Sequence, residues 1–385
     1  MVINQPLPRA LQPPRQSFFL FGPRGSGKST WMRRHFARAT RFDLLDEALF
    51  HELLTTPGRF FERLRSLAPR SWVCVDEFQR LPSLLNEVHR AIEERGLRFV
   101  LSGSSARKLK HAGVNLLAGR ALRKTMHGFV PSEMEGRFRL ETALEIGTLP
   151  VVVSSPQPEE TLRAYVLSYL KEEIQAEALA RSLAGFARFL PIAALMHGQG
   201  VNVSALARDA GVARTTVNDY LDVLEDTLLA FRLPAFEARL RVRERRHPKL
   251  YWVDPGLVRA AKQHLGPVAP EERGPLFEGL VAELLRSWND YRGLFDEWAY
   301  WAPTEGPGFE VDFLLRRGKR FVALEAKSSA RPRPADRAGL DAVAALPGLE
   351  RRILVYPTTP RLTLDGGIEV MDFLRLSREL EAGRL

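Results

Sequence analysis

The chain has almost no cysteine: Cys74 is the sole one in 385 residues. A disulfide framework and a cysteine-ligated metal centre within one copy are therefore excluded. Long apolar runs are missing as well, and nothing approaches the roughly 20 consecutive apolar residues that cross a bilayer. No membrane partner is expected. The stretch from Met1 to Gln16 contains Pro6, Pro8, Pro13 and Pro14 but lacks the apolar centre of a secretory signal. It reads as a loose arm, with a cytoplasmic location as the default. Acidic residues are the scarcer charge, 46 against 56 basic, giving a net charge of +10. This balance favours an anionic partner such as nucleic acid, although an arginine-rich solvated surface would produce the same figure. With 45% hydrophobic and 26% charged residues, the composition is that of a globular chain, and its length suggests two or three domains.

The clearest local signal follows the apolar run Ser17 to Phe21. Gly22-Pro23-Arg24-Gly25-Ser26-Gly27-Lys28-Ser29-Thr30 matches G-x4-GK[ST], with helical spacing beyond it. In such a loop the glycines let backbone N–H groups curl around phosphates, Lys28 adds a cation, and Ser29 offers a hydroxyl to Mg²⁺. Gly22, Pro23, Gly25, Ser26, Gly27, Lys28, Ser29 and Thr30 are accordingly the expected ATP contacts. A second apolar run, Trp72-Val73-Cys74-Val75, reads as a buried parallel strand ending in Asp76-Glu77. Ligands of open α/β sheets bind at the carboxyl ends of strands, so both carboxylates are expected beside the phosphates. Asp76 would hold Mg²⁺ through its water shell and Glu77 would act as the base for the attacking water. Arg98 to Leu101 reads as a further strand leading into Ser102-Gly103-Ser104-Ser105, where Ser104 is placed to sense the γ-phosphate. Arg120, after Leu116-Leu117-Ala118-Gly119, is either a finger reaching a neighbouring subunit's ATP or a surface arginine remote from phosphate.

The order GPRGSGKST, VCVDEFQ, LSGSS, LLAGR resembles the prokaryotic AAA-type ATPases that carry a C-terminal domain long labelled as of unknown function. The resemblance extends through YVLSYLKEEI, VNVSALARDAGVARTTVNDYLDVLEDT, HPKLYWVDPGL, FEGLVAELL, EVDFLL and LEAKSS. It implies an α/β fold: an AAA-type P-loop parallel sheet, then a winged-helix region, then an α/β restriction-endonuclease-like domain. One departure is visible, Gly147-Thr148-Leu149-Pro150 where a Gly-Gly-aromatic-Pro step is expected.

Within Val203 to Leu229, apolar Leu206, Ala207, Ala210, Val217, Leu221 and Leu224 fall at helical spacing around Gly211. This pattern predicts a helix-turn-helix, with Ser204 as first N-cap and Arg214, Thr215, Asn218 and Asp219 facing outward from the second helix. The alternative is a packing module between domains, since Asp219 and Asp222 oppose phosphate. The basic run Arg239 to His247 is the stronger candidate for backbone contact, or else a charge-guarded edge strand.

Glu310-Val-Asp312 and Leu324-Glu325-Ala-Lys327 lie on two strand-like runs joined by Arg316-Arg317-Gly318-Lys319. A two-residue turn at Arg317-Gly318 would set Asp312 opposite Ala323, on one face with Glu325 and Lys327. Such a cluster could hold a divalent metal while Lys327 positions water for phosphodiester cleavage. It matches the D-x12-E-x-K form of PD-(D/E)xK nucleases, with Glu278 or Glu283 as the upstream acid and Glu278 the better match. Arg331-Pro-Arg-Pro adds positive charge beside it.

The expected organisation is an arm (1–16), an AAA-type ATPase (17–150), a helical linker with a winged helix-turn-helix (151–246) and a nuclease-like domain (247–385). The expected function is an ATP- and Mg²⁺-dependent DNA motor acting on duplex, forked or four-way-junction DNA. The resemblance adds a homo-oligomeric, hexameric ring. The alternative is a nucleotide-controlled switch whose nuclease-like domain only binds a partner.

Overall fold

The computed structural model describes residues 7–105, 117, 119–169, 183–236, 247–304, 309–329, 331–360 and 362–385. They fall into two compact units, one within Asn4–His127 and Asp226–Leu228, the other within Gly128–Glu225 and Leu229–Leu385. Three parts were expected from the sequence. Chain contacts place the first boundary at His127 rather than Pro150, and they unite 151–246 with 247–385.

In the first unit, β1 (Phe18–Phe21), β2 (Thr40–Asp43), β3 (Trp72–Asp76), β4 (Arg98–Gly103) and β5 (Leu122–Thr125) form one sheet in the order β2-β3-β4-β1-β5. Every neighbouring pair is parallel. The helices α1 (Lys28–His35), α2 (Glu47–Thr55), α3 (Gly58–Leu64) and α4 (Leu85–Arg95) complete it. Burial on both faces explains the unbroken apolar strands. Phe19, Phe21, Val73, Val75, Phe99 and Leu101 pack with Leu53, Leu64 and Val88 in one core. Phe18, displaced by one residue, turns the other way and meets Trp31, Phe36 and Trp72. Residues 7–16 are not the loose arm expected. Leu11 is buried, its carbonyl accepts from Trp31 Nε1 at 3.2 Å, and Arg9 donates to the carbonyls of Ser26 and His127. Prolines there stiffen a strap that is fixed by burial of the leucines between them. Residues 1–6 lie outside the described residues.

The second unit contains α5 (Leu140–Ile146), α6 (Leu183–Leu195), β6 (Gln199–Gly200), α7 (Val203–Ala210), α8 (Arg214–Asp226), β7 (Ala230–Leu233) and β8 (Lys249–Trp252). The strands pair antiparallel in the order β6-β8-β7. Helix, strand, two helices, then two strands is the observed order around the expected helix-turn-helix. The N-cap of α7 is Asn202, not Ser204: its Oδ1 accepts from Ala205 N at 3.0 Å, which starts the helix two residues earlier. Gly211 closes α7 at φ 63°, and Arg214, Thr215, Asn218 and Asp219 are all exposed on α8. Except for His247, the basic run Arg239–His247 lies outside the described residues.

Beyond it come α9 (Pro255–Ala261), α10 (Pro270–Arg292), β9 (Glu297–Trp301), β10 (Val311–Arg317), β11 (Arg320–Ala326), α11 (Ala338–Ala342), β12 (Leu349–Tyr356), β13 (Leu362–Leu364), β14 (Ile368–Asp372) and α12 (Phe373–Glu381). The sheet runs β13-β14-β12-β11-β10-β9, antiparallel at both edges and parallel across β11-β12-β14. Trp301, Val311, Leu314, Ala323, Leu354 and Val370 pack with Leu340 and Val343.

The departure at Gly147 has a physical basis. Gly147 sits at φ 81°, ψ −165°, a region essentially restricted to glycine, and a Cβ there would lie 1.9 Å from Asp254 Oδ1. Asp254 is buried, caps α9 and accepts from Thr148 N at 2.6 Å. Thr148 also turns its hydroxyl to this carboxylate, Oγ1 donating to Asp254 Oδ2 at 3.4 Å, a bond that a glycine at this position could not make. Gly147→Ala should cost roughly 3 kcal/mol or more, combining strain with the clash. Gly136→Ala, at φ 77° with nothing within 4 Å, should cost only about 1 kcal/mol. Urea unfolding of both variants checks this, and equal losses would contradict it.

Candidate functional site

Because all five strands of the first sheet are parallel, their carboxyl ends share one edge, with β4 between β1 and β3. The expected residues arrive there together. The loop from Gly22 to Gly27 joins β1 to α1, and Gly27 opens the helix at φ 90°. Gly22 is needed for a close approach, since a Cβ would lie 2.3 Å from the carbonyl oxygen of Met126. Lys28 is buried, and its Nζ donates to the carbonyls of Gly22 at 2.7 Å and Pro23 at 3.1 Å. Ser26 Oγ is buried in the same loop without a hydrogen-bond partner. An orphaned hydroxyl, a buried ammonium and a glycine-tight backbone suit a phosphate group, which brings several strong acceptors.

Asp76 ends β3, and its Oδ1 accepts from Ser102 Oγ and from Glu77 N at 3.1 Å. Glu77 has a left-handed backbone, φ 53°, which turns its side chain back along the sheet edge. Its Oε2 accepts from Gln79 Nε2, which also donates to Ser104 Oγ at 3.0 Å. One amide therefore fixes both the carboxylate expected as base and the hydroxyl expected to sense phosphate. Gln79 Oε1 is buried with no partner. Sequence reading missed Gln79, Ser102 and Arg9. Only Gln79 left a signal, as the residue two beyond Glu77 in VCVDEFQ, a spacing that a tight turn folds together. Ser29 and Thr30, the first residues inside α1 after Lys28, are half-buried. Arg120 projects from the first unit, with its guanidinium paired to Glu93. That bond holds the Glu93 carboxyl below the usual range.

The second centre lies on the six-stranded sheet. β10 and β11 pair Arg317 with Arg320, so the turn is Gly318-Lys319 rather than Arg317-Gly318. Gly318 takes the left-handed φ of 60° that Arg317 would have had to adopt. This register sets Phe313 opposite Leu324, and the next pair outward is Asp312 with Glu325, not Ala323. Asp312 N lies 3.3 Å from Glu325 Oε2, and Asp312 Oδ2 accepts from Ala326 N at 2.9 Å. Lys327 Nζ donates to Glu325 Oε1 at 2.5 Å. Of the two upstream acids, Glu278 joins this centre, whereas Glu283 lies against Arg286.

Three further residues complete the cluster: Lys249 and Tyr251, two apart on one face of β8, and Glu310. Lys249 Nζ bonds Glu310 Oε1 at 2.8 Å, Glu278 Oε1 at 3.0 Å and Asp312 Oδ1 at 3.5 Å, and Tyr251 OH donates to Glu278 Oε1. Burial pushes the Asp312 carboxyl well up, reinforced by Glu278 and Glu325. Glu325 rises to about 7, again chiefly through burial, with Lys327 pulling against it. Burial alone would lower Lys249, but Glu278 and the neighbouring oxygens raise it well above the ordinary lysine value. The signal in the sequence was a lone lysine inside the apolar strand Lys249–Trp252, since a fully buried lysine must be paired. Glu278, Glu310 and Asp312 offer oxygens within 4.8 Å of one another, but the ammonium lies among them, so the donor set as arranged does not suit a divalent metal.

Residues 14–135 match the model of an AAA domain. Residues 137–266 and 273–376 match two domains of unknown function, DUF8612 and DUF4143. An uncharacterized protein of Mycobacterium tuberculosis, Rv2008c, is 27% identical over 356 residues, covering 90% of this chain and 77% of its own length. A Mycobacterium bovis protein, Mb2031c, matches equally. Among solved structures, the Aeropyrum pernix ORC1 protein in complex with DNA aligns at TM-score 0.29 and 11% identity, over 66% of this chain and 87% of that one. Protein VC1899 from Vibrio cholerae aligns at TM-score 0.23 and 14% identity over 96% of each chain. At such scores the alignments carry no argument. The chain contains an AAA-type ATPase domain followed by a DUF4143 domain. No described helix is long and apolar enough to cross a membrane.

Gln79 bonds both Glu77 and Ser104, so any effect of it on ATP turnover is expected through their placement. Gln79→Ala should lower kcat by about 100-fold while leaving KM for ATP nearly unchanged. Steady-state ATPase assays over a range of ATP concentrations measure both, and a rise in KM at constant kcat would assign Gln79 to binding instead.

Proposed function

We propose that this protein couples ATP hydrolysis to action on DNA. The observation that carries the ATP half is the convergence of Lys28, Asp76, Glu77 and Ser104 on one edge of a parallel sheet, with Glu77 and Ser104 joined through Gln79. Gly22, Pro23, Gly25, Ser26, Gly27 and Thr30 would cradle the phosphates, Lys28 would trade its carbonyl acceptors for phosphate oxygens, and Ser29 and Asp76 would hold Mg²⁺. When bound, the metal supplies positive charge against the phosphates. Glu77, oriented by Gln79, takes the proton of the attacking water, and Ser104 reports the γ-phosphate at the same amide.

The DNA half rests on α7 and α8, which we read as a winged helix-turn-helix bounded by β6, β7 and β8. Arg214, Thr215 and Asn218 stand exposed at the start and middle of the second helix, where a recognition helix presents residues to a groove. The net charge of +10 and the exposed Arg331 and Arg333 favour the same partner. Arg120 supports a ring in which each copy completes its neighbour's site. Its present bond to Glu93 is an exposed pair, weak enough to be exchanged for phosphate. A hexamer moving on duplex, forked or four-way-junction DNA is the assembly we favour, and the cytoplasm is its proposed location. The second reading, a nucleotide-controlled switch whose C-terminal domain binds a partner, is favoured by the ammonium inside the acidic cluster of that domain.

ATP turnover with Mg²⁺, measured alone and with single-stranded, duplex, forked and four-way-junction DNA, separates these readings. One DNA form should stimulate the rate about 10-fold or more, Lys28→Ala should abolish it, and Arg214→Glu should remove the stimulation while sparing the basal rate. A Lys28-dependent rate indifferent to every DNA would instead support the switch.

A further inference from the structure

A divalent cation bound by hard oxygens needs an open volume between carboxylates. At the DUF4143 centre that volume is filled from within the chain. Glu278, Glu310 and Asp312 bring one oxygen each within 4.8 Å of one another. Lys249 Nζ lies 2.8, 3.0 and 3.5 Å from Glu310, Glu278 and Asp312 oxygens, and its side chain is only 3% exposed. Tyr251, on the same face of β8, occupies a further lone pair of Glu278 through its hydroxyl. A metal entering here would meet a fixed positive charge at contact distance, where like charges repel strongly in a poorly solvated interior. It could enter only if Lys249 withdrew from a strand buried along its whole length. The ammonium is also tethered, so it competes with free ions at an effective concentration that solution metal cannot match.

We propose that Lys249 takes the place of a divalent cation in this domain. The strand that closes the helix-turn-helix module carries its own cation into the acidic centre, ties β8 to α10 and β10, and leaves the centre without metal-dependent phosphodiester cleavage. Among the described residues Lys327 makes its ion pair with Glu325, not with the three acids around Lys249. The inference stands apart from the ATPase reading, because it concerns residues on α10, β8 and β10, with Glu310 just before β10.

Mn²⁺ titration of the nucleotide-free full chain, read by electron paramagnetic resonance of the free ion, tests it. Wild type and Glu310→Gln, a half-buried and therefore milder change, should bind Mn²⁺ indistinguishably. Lys249→Met should gain a site at least about 10-fold tighter than any in wild type, and adding Glu310→Gln to it should remove that gain. Wild type binding Mn²⁺ about 10-fold more tightly than Glu310→Gln would overturn the proposal, as would a folded Lys249→Met that gains nothing. Should Lys249→Met fail to fold, the comparison of wild type with Glu310→Gln decides alone: equal affinity supports the proposal, and a loss overturns it.

Discussion

Taking a charge out of water is so costly that a buried lysine dictates its surroundings. Two such lysines define the two centres of this chain. Lys28 stands at the start of α1 and donates to backbone carbonyls of its own loop. These are dipoles, and phosphate oxygens are stronger acceptors that the same side chain reaches by rotation. Lys249 is enclosed by the carboxyls of Glu278, Glu310 and Asp312, side chains whose withdrawal would leave a buried ammonium unpaired. The first ammonium is therefore arranged to be taken over by a ligand, whereas the second is arranged to stay.

Topology decides which residues can share these centres. A parallel sheet delivers strand ends to one edge, so a loop after β1, carboxylates at the end of β3 and a hydroxyl after β4 meet although 82 positions separate Gly22 from Ser104. The antiparallel β10–β11 pair works differently, placing Asp312 and Glu325 side by side through register alone. Helix α10 and strand β8 then close over that pair from outside the sheet. Each centre also relies on one polar side chain with no chemistry of its own: Gln79 at the first and Tyr251 at the second.

Much of the first centre was legible because its motif is local. The glycines, Lys28 and Ser29 are contiguous, and the apolar run before Asp76 marks a buried strand. Arg9 and Ser102 were not legible, since their partners depend on how distant segments pack. The hairpin slipped by one residue because Arg316 to Lys319 offers two placements of a two-residue turn. Only the requirement for a left-handed first residue selects Gly318. That single step moved Asp312 from Ala323 to Glu325, and it brought the two carboxylates closer than expected. The asparagine cap of α7 was missed for a related reason, as Asn202 and Ser204 are both good caps and the backbone chooses between them. Lys249 was hidden by distance: 29 positions separate it from Glu278 and 63 from Asp312. Its one visible trait, a charge inside an apolar strand, was a constraint without a partner.

The contrast between the two buried ammonium groups is the centre of this account, and side-chain NMR of ¹⁵N-lysine-labelled protein addresses it directly. Resonances of Lys28 and Lys249 can be assigned by their loss in Lys28→Arg and Lys249→Arg. The account predicts that Mg²⁺ with ATP shifts the Lys28 signal and leaves that of Lys249 slowly exchanging and unmoved. Loss or displacement of the Lys249 signal on adding Mg²⁺ alone would contradict it.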